Sequence, residues 1–168
     1  VLDTASLYGK SESVLGENSL KGFKVVTKTS RFATTYISDI ETNQLNQTFQ
    51  QSLDLLSHKK IYGFLIHDVE NLFLPGGDKI LSAMRQLKEK GVVEKIGVSV
   101  YDSMQVDAVL KKFNPDLMQL PLSVLDQRML ATGHLELLKN KGVEIHVRSV
   151  FLQGLLLMSL SDVPAFFE

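Results

Sequence analysis

The sequence predicts an α/β fold in which six short strands alternate with helices, and three observations support this prediction. Six β-rich runs are separated by amphipathic patterns, two helix exits repeat one local pattern, and polar residues stand at the strand ends. The predicted strands cover residues 1–4, 24–28, 61–66, 95–99, 116–120 and 144–148. Strands separated by helices in this way are typical of a parallel sheet with helical crossovers.

The intervening helices are predicted from the spacing of apolar residues. They cover residues 12–20, 37–57, 79–90, 103–112 and 135–141. The helix at 37–57 is the best marked, because four apolar residues recur at steps of four, four and three and form one stripe. These residues are Leu45, Phe49, Leu53 and Leu56. Ser38 or Asp39 can cap its first turn.

Two helix exits share one pattern. Residues 88–92 and 139–143 each place lysines in the last helical turn, followed by a glycine and a valine. The lysines complement the negative end of the helix, and Gly91 and Gly142 can adopt the left-handed conformation that ends it. Each exit leads into a predicted strand, so the repeat favours a wound parallel sheet.

Composition predicts a single domain over residues 1–168 and argues against several classes of function. The net charge of −1 gives no attraction to nucleic acid or to an anionic membrane. The chain has no cysteine, which excludes disulfides, thiolate metal sites and cysteine nucleophiles and suits a cytoplasmic location. No apolar run approaches the roughly 20 residues of a membrane-spanning helix, and no signal peptide is visible. The oligomeric state stays open.

A parallel sheet of this size fits either a doubly wound fold or most of a TIM barrel. No G-x-G-x-x-G motif follows a predicted strand, which disfavours a dinucleotide-binding doubly wound domain. Six polar residues lie at or just beyond the carboxyl ends of six different strands. They are Asp3, Lys28, His67, Ser99, Gln119 and Arg148. In a barrel these positions converge on one mouth, where barrel enzymes keep their active sites.

The motif that begins at Asp3 is specific. Residues 3–16 read D-T-A-x-x-Y-G-x-S-E-x-x-L-G, and this resembles the corresponding motif of aldo-keto reductases. The strand ends at 25–28 and 64–67, and the stretches 91–99, 119–126 and 153–156, resemble further segments of that family. The resemblance covers essentially the whole chain. It implies an α/β (β/α)8 TIM barrel, here an incomplete arc of about six βα units.

Carried over by position, the resemblance implies a catalytic tetrad of Asp3, Tyr8, Lys28 and His67. Reduction of a carbonyl by hydride creates an alkoxide, which requires a proton donor and a polarising group. A tyrosine is a poor acid at neutral pH unless a nearby cation stabilises its phenolate. Lys28 is expected to be that cation, with Asp3 as its partner. His67 is expected to bond to the substrate oxygen or to assist proton transfer.

The resemblance also implies a nicotinamide cofactor, either NADP(H) or NAD(H), with NADP(H) favoured. Ser99 and Gln119 are expected to bind its carboxamide, although Val100 stands where many members have asparagine. Arg148 occupies the position of an aromatic ring that stacks on the nicotinamide, and a guanidinium plane can also stack. A cation there would disfavour the oxidised cofactor. Residues expected along the pyrophosphate are Ser149, Phe151, Leu152 and Gln153.

The chain is expected to be a partial one. It begins at Val1, as if inside a strand, and a full barrel has roughly 250 residues. Relative to the family it lacks the first and last βα units, which are neighbours in a closed barrel. The six remaining units would then form one contiguous arc with unpaired edges. The substrate is expected to be a small-molecule carbonyl whose identity the sequence does not give.

Two alternatives remain open. The first is a catalytically inactive or truncated barrel that serves as a cofactor-binding or assembly module. The second is a Schiff-base aldolase with Lys28 as nucleophile. A metal site at His67 is disfavoured. Phe32 and Tyr36 are expected to make plain hydrophobic contacts rather than an apolar wall for the substrate, and the remaining histidines are expected to belong to no site. These histidines are His58, His134 and His146.

Overall fold

The computed structural model describes residues 1–18 and 20–164. Its strands are β1 (Leu2–Asp3), β2 (Val25–Lys28), β3 (Ile61–Ile66), β4 (Val93–Ser99), β5 (Leu117–Pro121) and β6 (Glu144–Arg148). Its α-helices are α1 (Ser11–Gly16), α2 (Asp39–Leu55), α3 (Asp78–Glu89), α4 (Ser103–Lys112), α5 (Arg128–Ala131) and α6 (His134–Asn140). Short 3₁₀ helices cover Val69–Leu72, Leu152–Leu157 and Leu160–Asp162.

The six strands form one parallel sheet in the order β1-β2-β3-β4-β5-β6. Each strand pairs with the next along the chain, from Leu2 opposite Val25 to Pro121 opposite Arg148. A doubly wound sheet would reverse its strand order at a switch point, whereas a barrel adds strands in one direction. The order therefore decides between the two predicted folds, and the prediction of an incomplete barrel arc is confirmed. β1 and β6 are its edges.

Most elements lie where the sequence predicts them. β3, β6 and α4 have the predicted bounds, whereas β4 begins two residues earlier, at Val93. The helix predicted over 12–20 is too long, because α1 ends at Gly16; Ser19 of that prediction lies outside the described residues. The 3₁₀ helix Val69–Leu72 and the four-residue α5 are not predicted, because they are too short to show a helical period.

Helix α2 packs against the outer face of the sheet. The Ser38 hydroxyl accepts a hydrogen bond from the Ile40 N–H, and the Glu41 carboxylate accepts one from the Ser38 N–H, which forms a capping box. All four residues of the predicted apolar stripe are buried. Phe49 packs against Phe64 of β3 with ring centroids 4.8 Å apart. The helix is thereby held against the strand that leads to His67.

The two predicted helix exits are confirmed. Gly91 and Gly142 have φ angles of 74° and 72°, a left-handed conformation in which a side chain would be strained. The N–H of the valine after each glycine donates to a carbonyl of the preceding helix, Val92 to Leu87 and Val143 to Leu138. At both exits the chain therefore turns directly from helix into strand.

The concave face carries a polar cluster at the amino-terminal end of the strands. Glu144 accepts hydrogen bonds from Lys95, Tyr62 and His146. Burial of Glu144 disfavours its charge, but these three hydrogen bonds outweigh that effect and lower its pKa to about 2. His146 is thus part of a structural polar cluster. In barrel enzymes this end contributes to stability.

Candidate active site

Lys28 is the centre of the cluster at the carboxyl ends of the strands. It is the last residue of β2 and only 1% of its surface is exposed. Its Nζ donates to Asp3 Oδ2 at 2.7 Å and to the Thr4 carbonyl oxygen at 2.9 Å. A buried ammonium needs both an opposite charge and hydrogen-bond acceptors, and these two contacts supply them.

Asp3 is fixed through its second oxygen as well. Gln119 of β5 donates from Nε2 to Asp3 Oδ1 at 2.8 Å. Since neighbouring strands lie about 4.8 Å apart, a flat sheet would separate β1 from β5 by about 19 Å. One direct hydrogen bond between side chains at these two strand ends therefore requires a strongly curled sheet. The curl brings residues that are 116 positions apart in sequence to one mouth.

Tyr8 lies in the loop after β1 and contacts the same cluster. Its ring centroid is 5.0 Å from Lys28 Nζ and 5.8 Å from the ring centroid of His67, which it meets edge-on at 86°. The loop is held locally, because the Tyr8 N–H donates to the Ala5 carbonyl at 3.0 Å. About half of Tyr8, 48%, remains exposed. Its phenol is therefore accessible to a ligand while its ring contacts the ammonium and the imidazole.

His67 follows β3 and is 8% exposed. The backbone N–H of His67 donates to the hydroxyl of Thr29 at 3.1 Å. Burial, followed by the positive charges of Lys28 and Arg31, lowers the pKa of the imidazole below its ordinary 6.5. The ring is therefore neutral at pH 7 and carries a single N–H. Its Nδ1 is buried and has no hydrogen-bond partner within residues 1–18 and 20–164.

This arrangement makes a prediction for the titration of His67. Its imidazole should titrate with a midpoint below 6.5, measured by NMR from the ring-proton shifts. Arg31→Gln should raise the midpoint, because Arg31 is exposed and its positive charge disfavours protonation of His67. His134→Gln serves as the control for assigning the histidine ring-proton signals.

Because the folded pKa is depressed, His67 contributes stability that is present above pH 6.5 and is lost as pH falls through the folded pKa. A midpoint at or above 6.5 would contradict this environment.

The residues predicted to bind the nicotinamide lie on β4, β5 and β6. Ser99, the end of β4, is buried and pairs in register with Gln119. Arg148, the end of β6, donates from Nη2 to the Val100 carbonyl at 3.0 Å and stacks on the Tyr101 ring at 4.1 Å. Its Nε is buried without a partner in the described part of the chain. One face of the guanidinium is thus already covered by a protein ring.

The loop after β6 is placed differently from the tetrad. Ser149, Phe151 and Gln153 are exposed, and no hydrogen bond among residues 1–18 and 20–164 joins them to the four predicted catalytic residues. Ser149 and Gln153 have φ angles of 62° and 57°. Left-handed backbone at non-glycine residues is uncommon and clusters at ligand-binding segments.

Several contacts of the site are absent from the sequence prediction. The Thr4 carbonyl and the Thr29 hydroxyl hold Lys28 and His67, but a backbone carbonyl and a single threonine leave no pattern in a sequence. The Asn71 side chain bonds to both the N–H and the carbonyl of Phe32, which is buried and therefore part of the core. No group of three or more His, Asp or Glu that could hold a metal ion occurs in the described residues.

Two cavities flank the sheet. One of about 440 Å³ lies between the loop 32–35 and the 3₁₀ helix Val69–Leu72, with Thr34, Asp68 and Glu70 in its lining. A larger one, about 630 Å³, lies next to β6 and is lined mainly by apolar residues such as Leu135 and Val143. Neither cavity is lined by any of the four predicted catalytic residues. Across the described residues, no helix is both long and apolar enough to cross a membrane.

Comparison with protein families gives one match. The model of the aldo/keto reductase family matches residues 1–163. A search of curated proteins gives no match.

Comparison with solved structures gives aldo-keto reductases. The aldo-keto reductase AKR11C1 from Bacillus halodurans in its holo form is 25% identical and covers 98% of this chain and 56% of its own, with a TM-score of 0.76. The glycerol dehydrogenase AKR11B4 from Gluconobacter oxydans is 19% identical over 99% of this chain and 54% of its own, with a TM-score of 0.73. A Gox0644 mutant in complex with NADPH is 22% identical over 94% of this chain and 56% of its own, with a TM-score of 0.70. The chain thus spans little more than half the length of these structures.

Proposed function

The chain belongs to the aldo/keto reductase family, and from this premise we propose that it acts as an NAD(P)H-dependent oxidoreductase. In the proposed reaction an aldehyde or ketone is reduced to an alcohol by hydride transfer, with Tyr8 as the general acid. The observation that carries the proposal is the convergence of Tyr8, Lys28 and His67 on one point of the mouth. The substrate class is a small-molecule carbonyl, and a cytoplasmic location suits a chain without cysteine.

The residues present fit a nicotinamide dinucleotide. Gln119 donates its amide N–H to Asp3, so its amide oxygen remains as an acceptor for a carboxamide N–H. Ser99 lies next to it in register and offers a hydroxyl. The buried Nε of Arg148, which has no hydrogen-bond partner among the described residues, suits a site that a ligand completes. When bound, the reduced nicotinamide supplies the hydride. NADP(H) is the proposed form, on the resemblance of the site residues to the family.

The protein's part is to bind the carbonyl and to deliver a proton. The exposed phenol of Tyr8 is the group that can reach a carbonyl oxygen and donate its proton to the developing alkoxide. The ammonium of Lys28 lies close enough to stabilise the phenolate that remains. Asp3 holds the ammonium in place, and the neutral imidazole of His67 can donate its single N–H to the same oxygen.

The Schiff-base alternative conflicts with the position of Lys28. A nucleophilic lysine needs a free amine, whereas this Nζ donates to Asp3 and to the Thr4 carbonyl. Forming an imine would break both contacts inside a buried environment. The reductase is therefore the function that the geometry supports best.

The test is cofactor binding followed by turnover. The protein should quench or shift the fluorescence of NADPH on titration, bind NADH more weakly, and then oxidise NADPH in the presence of members of an aldehyde and ketone panel. Binding without any turnover would support the alternative of a cofactor-binding module. Absence of binding to either nucleotide would contradict the proposal for this chain.

A further inference from the structure

Glu12 is a buried carboxyl group that the proposed reaction does not use. It is 4% exposed and lies in the first turn of α1. Its Oε1 accepts a hydrogen bond from the Thr27 hydroxyl at 2.6 Å, and its Oε2 accepts one from the Ser52 hydroxyl at 3.0 Å. None of the ion pairs within the described residues includes it. Burial of such a group is unfavourable unless it is hydrogen-bonded, so both hydroxyls are needed.

The partners of Glu12 lie on the elements that carry the proposed site. Helix α1 follows the Tyr8 loop directly, and the Ser11 N–H donates to the Tyr8 carbonyl at 3.1 Å. Thr27 immediately precedes Lys28 on β2. Since successive strand residues point to opposite faces, Thr27 lies on the outer face, behind the ammonium of Lys28. Glu12 therefore joins the segment of Tyr8 to the strand of Lys28 from outside the mouth.

Helix α2 backs this junction. Ser52 belongs to α2, and α1 packs on α2 so closely that a Cβ at Gly16 would lie 1.9 Å from the Leu55 carbonyl oxygen. The loop that carries Tyr8 is closed at its base by the Thr4 and Ser11 hydroxyls, which are 3.0 Å apart. Glu12 is thus the polar contact at which the loop helix, the lysine strand and the supporting helix meet.

Tyr8 depends on such a support. It is half-exposed, and no hydrogen bond to its phenol occurs among the described residues, so its position follows from the backbone of its loop. We propose that Glu12 is a positioning residue, which holds the Tyr8 loop against β2 so that the phenol stays next to Lys28 and His67. The proposal rests on the proposed function, because it assigns a role within that site.

The kinetic test compares Glu12→Ala with Glu12→Gln. The alanine variant should lose about 10- to 100-fold in kcat, because a displacement near 1 Å is enough for such a loss, while KM and NADPH affinity stay near those of the parent protein. The glutamine variant should recover most of this loss, since an amide can accept from one hydroxyl and donate to the other. Glu17→Gln, an exposed substitution at the end of α1, is the matched control and should change nothing.

A second measurement does not depend on turnover. The NOE between the ring protons of Tyr8 and His67 should be present in the parent protein and weakened in Glu12→Ala, at a temperature where both are folded. If the parent protein reduces no carbonyl, the proposed function fails, but loss of this NOE still supports the positioning role. A Glu12→Ala variant that merely melts earlier, with its NOE and kcat intact, overturns the proposal.

Discussion

Tyr8→Phe is expected to reduce NADPH-dependent carbonyl reduction by about 10³-fold, the scale of a lost general acid. The substitution removes the phenolic proton, but it keeps the ring that contacts Lys28 and His67. The proposed cofactor-binding residues Ser99, Gln119 and Arg148 lie on other strands and should be unaffected. The measurement is kcat with the best substrate of the panel, alongside the dissociation constant for NADPH.

Tyr36→Phe is the matched control for this prediction. Tyr36 is exposed to nearly the same extent as Tyr8, at 51% against 48%, but it does not contact Lys28 or His67 among the contacts described. Its hydroxyl should therefore be dispensable for turnover. Retention of activity in Tyr8→Phe would remove Tyr8 from the role of acid, and equal loss in both variants would point to a general effect of the substitution.

The fold could be predicted because its elements are marked locally. β3 is flanked by the polar residues Lys60 and His67, and Gly91 and Gly142 end their helices in the left-handed conformation. The error at α1 has a tertiary cause, since the apolar pattern continues to Leu20 while Gly16 is already in contact with the backbone of α2. Local pattern alone does not contain that contact.

The site could be predicted only in part, for a geometric reason. Residues at the ends of parallel strands converge by topology, so the meeting of Asp3, Lys28 and His67 follows from strand order alone. The bond from Gln119 to Asp3 and the stacking of Arg148 on Tyr101 depend on how strongly the sheet curls, which no local pattern states.

The cluster around Glu144 is a second example of this limit. Tyr62 and Lys95 are 82 and 49 residues away from it in sequence, so nothing in the vicinity of Glu144 indicates them. His146 is only two residues away, yet its role becomes visible only with the other two partners in place. Predicting it would require the strand register, because Leu117 pairs with Glu144 and Gln119 with His146.

Lys28→Met is the second substitution with a large expected effect, because it acts on both catalysis and stability. Loss of the ammonium should lower kcat by about 10³-fold, since the phenolate of Tyr8 would form without a neighbouring cation. It should also lower the free energy of unfolding by on the order of 2 kcal/mol, because Asp3 keeps its charge but loses its partner. This is less than a wholly buried pair would lose, since the Asp3 side chain is 37% exposed.

A double-mutant cycle separates these two effects. Asp3→Asn combined with Lys28→Met removes both charges, so the double variant should be more stable than Lys28→Met alone, measured by denaturant unfolding. Its kcat should be no lower than that of Lys28→Met, because residues that act as a unit are not additive. Lys79→Met, which breaks the exposed pair with Asp39, is the control and should change neither quantity measurably. Additive losses of stability and of kcat would show that Asp3 and Lys28 act independently, and would contradict a carboxylate whose role is to hold the ammonium beside Tyr8.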